Sequence, residues 1–236
     1  MFKVASYNIK CGAMTGFDCS MQGCDLKNAG ADIAGIQEVD EHTERNGFTQ
    51  TMAPLSKFSS LSYFQFAEAM PYKGGSYGIG ILSRYKPKGM YTAHLPLQSG
   101  LEPRVFCAML LEIDNNPLYF INTHLSYESV TLQKEQMSAL GKYLSTLKYP
   151  FVLTGDFNTE DFTLFDILSE SIKSPVQLMN SGKNRFASFY PTGSAIDNIV
   201  ISKGLKFTET GMYTKSKNSD HYMIYAQIEF EKQIKP

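Results

Sequence analysis

The sequence predicts an α/β protein with two packed, mixed β-sheets and helices over their outer faces. Three observations carry this expectation. About eleven short apolar runs rich in Val, Ile, Tyr and Phe are separated by polar turn residues. Helical period is confined to three or four segments. No repeat, low-complexity tract or Pro/Gly/Ser linker divides the chain, so residues 1–236 read as one domain. With so many strands, two packed sheets are favoured over one open sheet. Helices then cover the apolar outer faces.

In order, the predicted strands are Phe2–Ile9, Ile33–Gln37, Tyr63–Ala67, Tyr77–Ser83, Met90–Leu97, Val105–Ile113, Leu118–Thr123, Phe151–Thr154, Ala195–Ile201, Phe207–Tyr213 and Tyr222–Ile228. A helix is expected around Leu26–Ala31. A longer one is expected over Tyr127–Lys148, where Leu132, Gln136, Ala139, Leu140, Tyr143, Leu144 and Leu147 recur at three- and four-residue steps. A short helix is expected over Asp161–Glu170, with Thr159 or Asp161 near its start.

Composition narrows the function classes. Hydrophobic residues make up 43% and charged residues 19%, enough apolar surface for a sizeable core. Lys and Arg total 22 against 23 Asp and Glu, for a net charge of −1. Tight non-specific binders of long nucleic acid carry a basic excess, and this chain has none. The four cysteines, Cys11, Cys19, Cys24 and Cys107, match no standard zinc-knuckle spacing. They read as free thiols of a reducing compartment. No apolar run approaches the roughly 18 residues of a membrane span. Residues 1–10 alternate like a strand rather than forming a signal peptide's apolar stretch. The expectation is a cytoplasmic protein.

The polar residues carry the chemistry. Asn8, Glu38, His124, Asp156 and Asn158 each follow an apolar run, and Asp220 and His221 precede one. Such strand ends are where a rigid scaffold hands a side chain to a loop. Asp197 lies inside the run Ala195–Ile201, where a carboxylate is costly unless paired. Singly, each has an ordinary explanation as a turn, a surface acid or a satisfied polar group. Together, the acids, amides and histidines form the set that metal-assisted phosphoryl transfer needs. Carboxylate and amide oxygens hold a hard cation, a base meets the attacking water, and donors face the phosphorus oxygens.

Six blocks of residues then stand in a familiar order. They are Ser6-Tyr7-Asn8-Ile9, Gly35-Ile36-Gln37-Glu38-Val39-Asp40, Tyr77-Gly78-Ile79-Gly80-Ile81-Leu82-Ser83-Arg84, Asn122-Thr123-His124-Leu125, Thr154-Gly155-Asp156-Phe157-Asn158 and Ile196-Asp197-Asn198-Ile199, followed by Ser219-Asp220-His221. In this the chain resembles the endonuclease/exonuclease/phosphatase superfamily, the fold of deoxyribonuclease I. The resemblance implies a four-layer α/β sandwich. It implies Glu38 as principal metal ligand, with Asn8 beside it on metal or phosphate and Asp220 as a further ligand. It implies His221 as the catalytic histidine paired with Asp197, Asp156 as the acid that orients or deprotonates the attacking water, and Asn158 and His124 as donors to phosphate oxygens; either Asp156 or the Asp197–His221 pair serves as the base. In deoxyribonuclease I-like members an acid near the Tyr77-Gly78 block supports the first histidine. Here Gly74–Gly78 carries none, and Glu68 is the nearest candidate.

Arg45 and Arg104 are candidate phosphate-binding residues, because a guanidinium can grip phosphate bidentately. The expected activity is hydrolysis of a phosphodiester or phosphomonoester by direct attack of water, on a small or lipid-linked phosphate. The alternatives are a nuclease acting on DNA or RNA and a non-catalytic binding domain on the same fold. The expected cofactor is Mg²⁺, with Mn²⁺ as a substitute. A monomer is the family default.

Overall fold

The computed structural model describes residues 1–231. Its first strand already requires a layered architecture. β1 (Phe2–Asn8) sends Phe2 and Val4 into one apolar cluster and Ala5 and Tyr7 into another. Side chains alternate between the two faces of a strand, so both faces of this one must be covered.

β1 pairs in parallel with β2 (Ile33–Glu41) and antiparallel with β12 (Met223–Phe230). With β11 (Leu205–Tyr213), β4 (Gly75–Ser83) and β3 (Tyr63–Tyr72) they form a six-stranded sheet in the order β11-β12-β1-β2-β4-β3. The second sheet also has six strands. It contains β5 (Gly89–His94), β6 (Val105–Ile113), β7 (Asn116–His124), β8 (Phe151–Asp156), β10 (Asp197–Ile201) and β9 (Gln177–Leu178), in the order β5-β6-β7-β8-β10-β9. Its central pair, β7 and β8, is again parallel.

Three apolar clusters define four layers. Between the sheets lie Phe2, Val4 and Ile224 from one and Met109, Phe120, Val152 and Ile199 from the other. Outside the first sheet, Ala5, Tyr7 and Ile36 meet Leu26 of α1 (Ser20–Ala29) and Leu55 of α2 (Met52–Ser59). Outside the second, Ile121 and Leu153 meet Met137 and Leu140 of α3 (Val130–Leu144) and Leu168 of α4 (Asp166–Ile172). This is the four-layer α/β sandwich, two mixed sheets flanked by helices.

The helices differ in detail from the sequence expectation. α3 is shorter than Tyr127–Lys148. It starts where the Ser129 side chain accepts a hydrogen bond from the Leu132 amide, capping an otherwise unpaired donor. α1 starts at Ser20 and ends at Gly30, whose φ of 73° suits a glycine C-cap. α2 was not anticipated. Pro54 sits in its first turn, where the missing N–H costs nothing, but a proline in a short segment masks helical period. The expected helix over Asp161–Glu170 is instead a 3₁₀ turn, Phe162–Phe165, followed by α4.

At the centre the sheets approach closely. A Cβ on Gly35 would lie 2.1 Å from Thr154 Oγ1 and 2.5 Å from Asn122 Oδ1. Asn122 Nδ2 donates to Ile36 O and Gly80 O across the gap, both at 2.9 Å. Gln37 Nε2 donates to Asn122 Oδ1 at 2.6 Å and to Ser6 Oγ at 3.1 Å. This buried polar seam ties the sheets together just below the ends of their parallel strands. All four cysteines are free. Among the described residues, no helix is long and apolar enough to cross a membrane.

Candidate active site

The two parallel pairs point their C-terminal ends the same way. β1 ends at Asn8, β7 at His124 and β8 at Asp156. Glu38 reaches the same end differently. It lies within β2, where the register with β4 shifts between Ile36 and Val39, and its φ is 55°. A bulge of this kind re-aims a side chain without ending the strand. The sequence placed Glu38 after a strand; the structure places it in a bulge inside one.

Asn8 is fully buried and joins the halves. Its Nδ2 donates to Glu38 Oε1 at 2.9 Å and to Asp156 Oδ2 at 3.0 Å. Its Oδ1 accepts from the Lys10 amide at 3.1 Å. Burial raises the pKa of Glu38, against the opposing hydrogen bond from Asn8.

His221 Nδ1 lies 2.7 Å from Asp197 Oδ2, and its Nε2 lies 3.7 Å from Asp156 Oδ2. Burial alone would lower the pKa of His221. The adjacent Asp197, reinforced by Asp156, outweighs it and pushes the value up to about 10. Asp156 is raised to about 7 by burial and by the nearby Asp197 charge. The buried pair Asp156 and Asp197 therefore shares one imidazolium, and the cost of burying Asp197 is offset as the sequence required.

His124 is the opposite case. Arg104 Nη1 lies 2.9 Å from its Nδ1 and also 3.0 Å from Glu102 Oε1. Arg104 Nη1 at Nδ1 and Asn158 Nδ2 at Nε2 are both donors, so each ring nitrogen faces a group that disfavours a second ring proton. Burial, then the Arg104 charge, holds the pKa of His124 well below the usual histidine value. Asn158 Nδ2 lies 3.0 Å from His124 Nε2 and donates to Leu125 O at 3.0 Å. The Asn158 backbone N–H donates to Asp156 Oδ1 at 2.9 Å. The site thus holds one cationic and one neutral histidine. Glu68, the acid nearest in sequence to the Tyr77-Gly78 block, is instead hydrogen-bonded by Ser76.

The remaining sequence candidates also line the cleft. Asp220 Oδ2 accepts from Lys10 Nζ at 2.7 Å. Arg45 is gripped through Nε and Nη2 by Asp40, whose carboxylate is fully buried. Its guanidinium lies 4.6 Å above the Tyr72 ring. Arg104 is buried and turned toward His124. All ten candidates except Asn8 and Asp197 line one cleft of about 520 Å³, and those two stand directly behind it.

Sequence reasoning missed several supporting residues. Lys10 gave no signal beyond following Asn8. Asn122 and Gln37 stood inside the quoted blocks but carried no role there. Asp25, on α1, accepts from Tyr7, Ser216 and Asn218, and so holds the loop that delivers Asp220 and His221. Phe189 packs its ring 4.9 Å from that of His221.

Comparison with known proteins agrees with this architecture. A search of curated proteins finds no match. Among solved structures, an endonuclease/exonuclease/phosphatase from Beutenbergia cavernae has a TM-score of 0.78 at 16% identity, covering 97% of this chain and 71% of that one. A mannosyl-6-phosphatase from Bacteroides thetaiotaomicron has a TM-score of 0.71 at 17% identity, covering 98% and 100%. The human Nocturnin catalytic domain, with a bound sulfate, has a TM-score of 0.74 at 18% identity, covering 98% and 93%. The family pattern described as endonuclease/exonuclease/phosphatase matches residues 5–221, and the chain belongs to that family.

Proposed function

We propose that the protein is a divalent-metal-dependent phosphoesterase that hydrolyses a small or lipid-linked phosphate ester by direct attack of water. The observation that carries this reading is the position of Asp156. Its carboxylate is buried among Asn8, His124, His221 and the Asn158 amide at the base of an open cleft. An acid so placed, with its pKa raised toward neutrality, is suited to take a proton from water.

Glu38, Asn8 and Asp220 would hold the cation. The donor set fits: all three offer oxygen, and the desolvated Glu38 carboxylate has no basic side chain paired to it among the described residues. Asp156, Asp197 and His221 also bring ligand atoms within 4.8 Å of one another. That trio is already closed by the Asp197–His221 hydrogen bond, and its imidazolium would repel a cation. The metal, when bound, supplies charge neutralisation at the phosphate.

The side chains account for the rest. Asp156 orients the attacking water and accepts its proton. Neutral His124 and Asn158, in contact with each other beside Asp156, stand where polar groups can meet a phosphoryl oxygen. Arg104 holds His124 neutral from behind. The phosphorus–oxygen bond to the leaving group breaks as His221 Nε2 gives its proton to the departing oxygen, with Asp197 holding the ring.

A small substrate is favoured by the charge of the cleft. Its two arginines, Arg45 and Arg104, are each paired with an acid, Asp40 and Glu102. Among the described residues lining the cleft, no unpaired Lys or Arg is offered to a polynucleotide backbone. The sugar-phosphate phosphatase among the similar structures points the same way. The test is a panel of phosphate mono- and diesters beside supercoiled plasmid, with Mg²⁺, with EDTA and with His221→Ala. Ester cleavage abolished by both controls supports the proposal. Plasmid nicking alone would replace it with a nuclease, and no metal binding with a non-catalytic module.

A further inference from the structure

Arg45 stands in the wall between the catalytic cleft and a second hollow of about 470 Å³, and lines both. Its guanidinium is held before any ligand arrives. Asp40 takes Nε and Nη2, Cys11 Sγ lies 2.9 Å from Nη2, and Tyr72 supports the plane from below. Nη1 is the nitrogen left without a partner among the described residues. The side chain remains one-third exposed. Cys11 Sγ also lies 4.0 Å from Glu38 Oε2, so Arg45 is one side chain away from the candidate metal ligand. A rigid donor at that spacing faces the part of the substrate just beyond the phosphate.

The charge around Arg45 decides what it can read. A buried carboxylate already neutralises the Arg45 guanidinium, and Arg104 in the cleft is likewise matched by Glu102. The adjoining hollow offers Asn46, Thr49, Gln50 and Asp18 and no further cation. A second phosphate or a carboxylate would meet net repulsion there. A neutral oxygen acceptor would not, and the phenol ring of Tyr77 beside Tyr72 gives an apolar wall for ring C–H groups.

We infer that Arg45, with Tyr72 and Tyr77, forms a specificity subsite for a polyhydroxylated leaving group, a sugar or cyclic polyol, with a hydroxyl accepting from Arg45 Nη1. This rests on the phosphoesterase reading above and adds the substrate class to it. Arg45 is here a residue that reads the leaving group, not one that grips the reacting phosphate.

The test compares, with Mg²⁺ and the wild-type protein, hexose 6-phosphates, hexose 1,6-bisphosphate, n-hexyl phosphate and phenyl phosphate. A site built to hydrogen-bond a hydroxyl discriminates strongly against an analogue lacking it. The expected result is a kcat/KM for at least one hexose monophosphate about 30-fold or more above that for n-hexyl phosphate, with no preference for the bisphosphate. Arg45→Lys should shrink that ratio to less than about threefold. Equal use of the alkyl ester, a preferred bisphosphate, or an unchanged ratio in Arg45→Lys overturns the inference. Titration calorimetry of hexose 6-phosphate against n-hexyl phosphate, on the His221→Ala protein with Mg²⁺, gives a readout free of turnover. If no ester is cleaved, the phosphoesterase reading fails, and the calorimetric preference alone decides the role of Arg45.

Discussion

His221 and Asp197 are joined Nδ1 to Oδ2 at 2.7 Å, Asp197 from β10 of one sheet and His221 from just before β12 of the other, and the bond leaves His221 Nε2 facing the Asp156 carboxylate. The pair fixes both the orientation of the imidazole and its charge. Asp197 raises the His221 pKa, so the imidazolium persists through neutral pH and is lost only as pH rises through about 10.

Asp197→Asn should therefore lower kcat by roughly 10²–10⁴-fold. With the main attraction gone, burial is opposed only by Asp156 and Asp220, and the His221 pKa falls. The alkaline limb of the kcat–pH profile should move down from near pH 10. An unchanged profile would separate His221 from the proton transfer assigned to it.

Asp156 predicts a pH effect on stability. Its folded pKa is raised from 3.8 to about 7, so the folded state holds a proton that the unfolded chain gives up sooner. The stabilisation is full below pH 3.8 and is lost as pH rises through about 7. In EDTA, urea denaturation should show the wild type losing on the order of 1–4 kcal/mol relative to Asp156→Asn between pH 4 and 7.5. Parallel pH dependences would show that Asp156 is not the group responsible.

The Arg104 contact makes a spectroscopic prediction. Long-range ¹H–¹⁵N spectra should show His124 neutral at pH 6. Arg104→Met should raise the His124 pKa and also lower kcat, since Glu102 then faces the ring without its partner. A wild-type His124 protonated at pH 6 would contradict the assignment.

The inter-sheet seam makes a prediction remote from any substrate. Asn122→Leu removes a donor from Ile36 O and Gly80 O and one of two acceptors from Gln37 Nε2, and should cost about 2–4 kcal/mol. Gly35→Ala forces a Cβ against Thr154 and should cost about 1–3 kcal/mol. Because Glu38 sits in the β2 bulge next to Gln37, both should also weaken Mn²⁺ binding in an EPR titration. Wild-type metal affinity in a destabilised Asn122→Leu would separate the seam from the site.

The sequence by itself determined that the chain forms many short strands with two-sided burial and that acids, amides and histidines stand at their ends. Both follow from local periodicity, because a strand buried on both faces must be apolar almost throughout and its polar residues collect where it stops. The ends of β1, β7 and β8 were legible for this reason, as was the need for a partner at Asp197. Tertiary structure alone decided the bulge that turns Glu38 into the cleft, because that depends on register against β4 and on Asn122 from the opposite sheet. It alone decided that Arg104 meets His124 and that Lys10 meets Asp220, since neither pairing has a local signature. It also decided the opposite charge states of the two histidines. Identical side chains acquire different pKa values only when burial and neighbours differ, and those neighbours come from distant positions in sequence, 65 residues apart for His221 and Asp156 and 97 for His124 and His221.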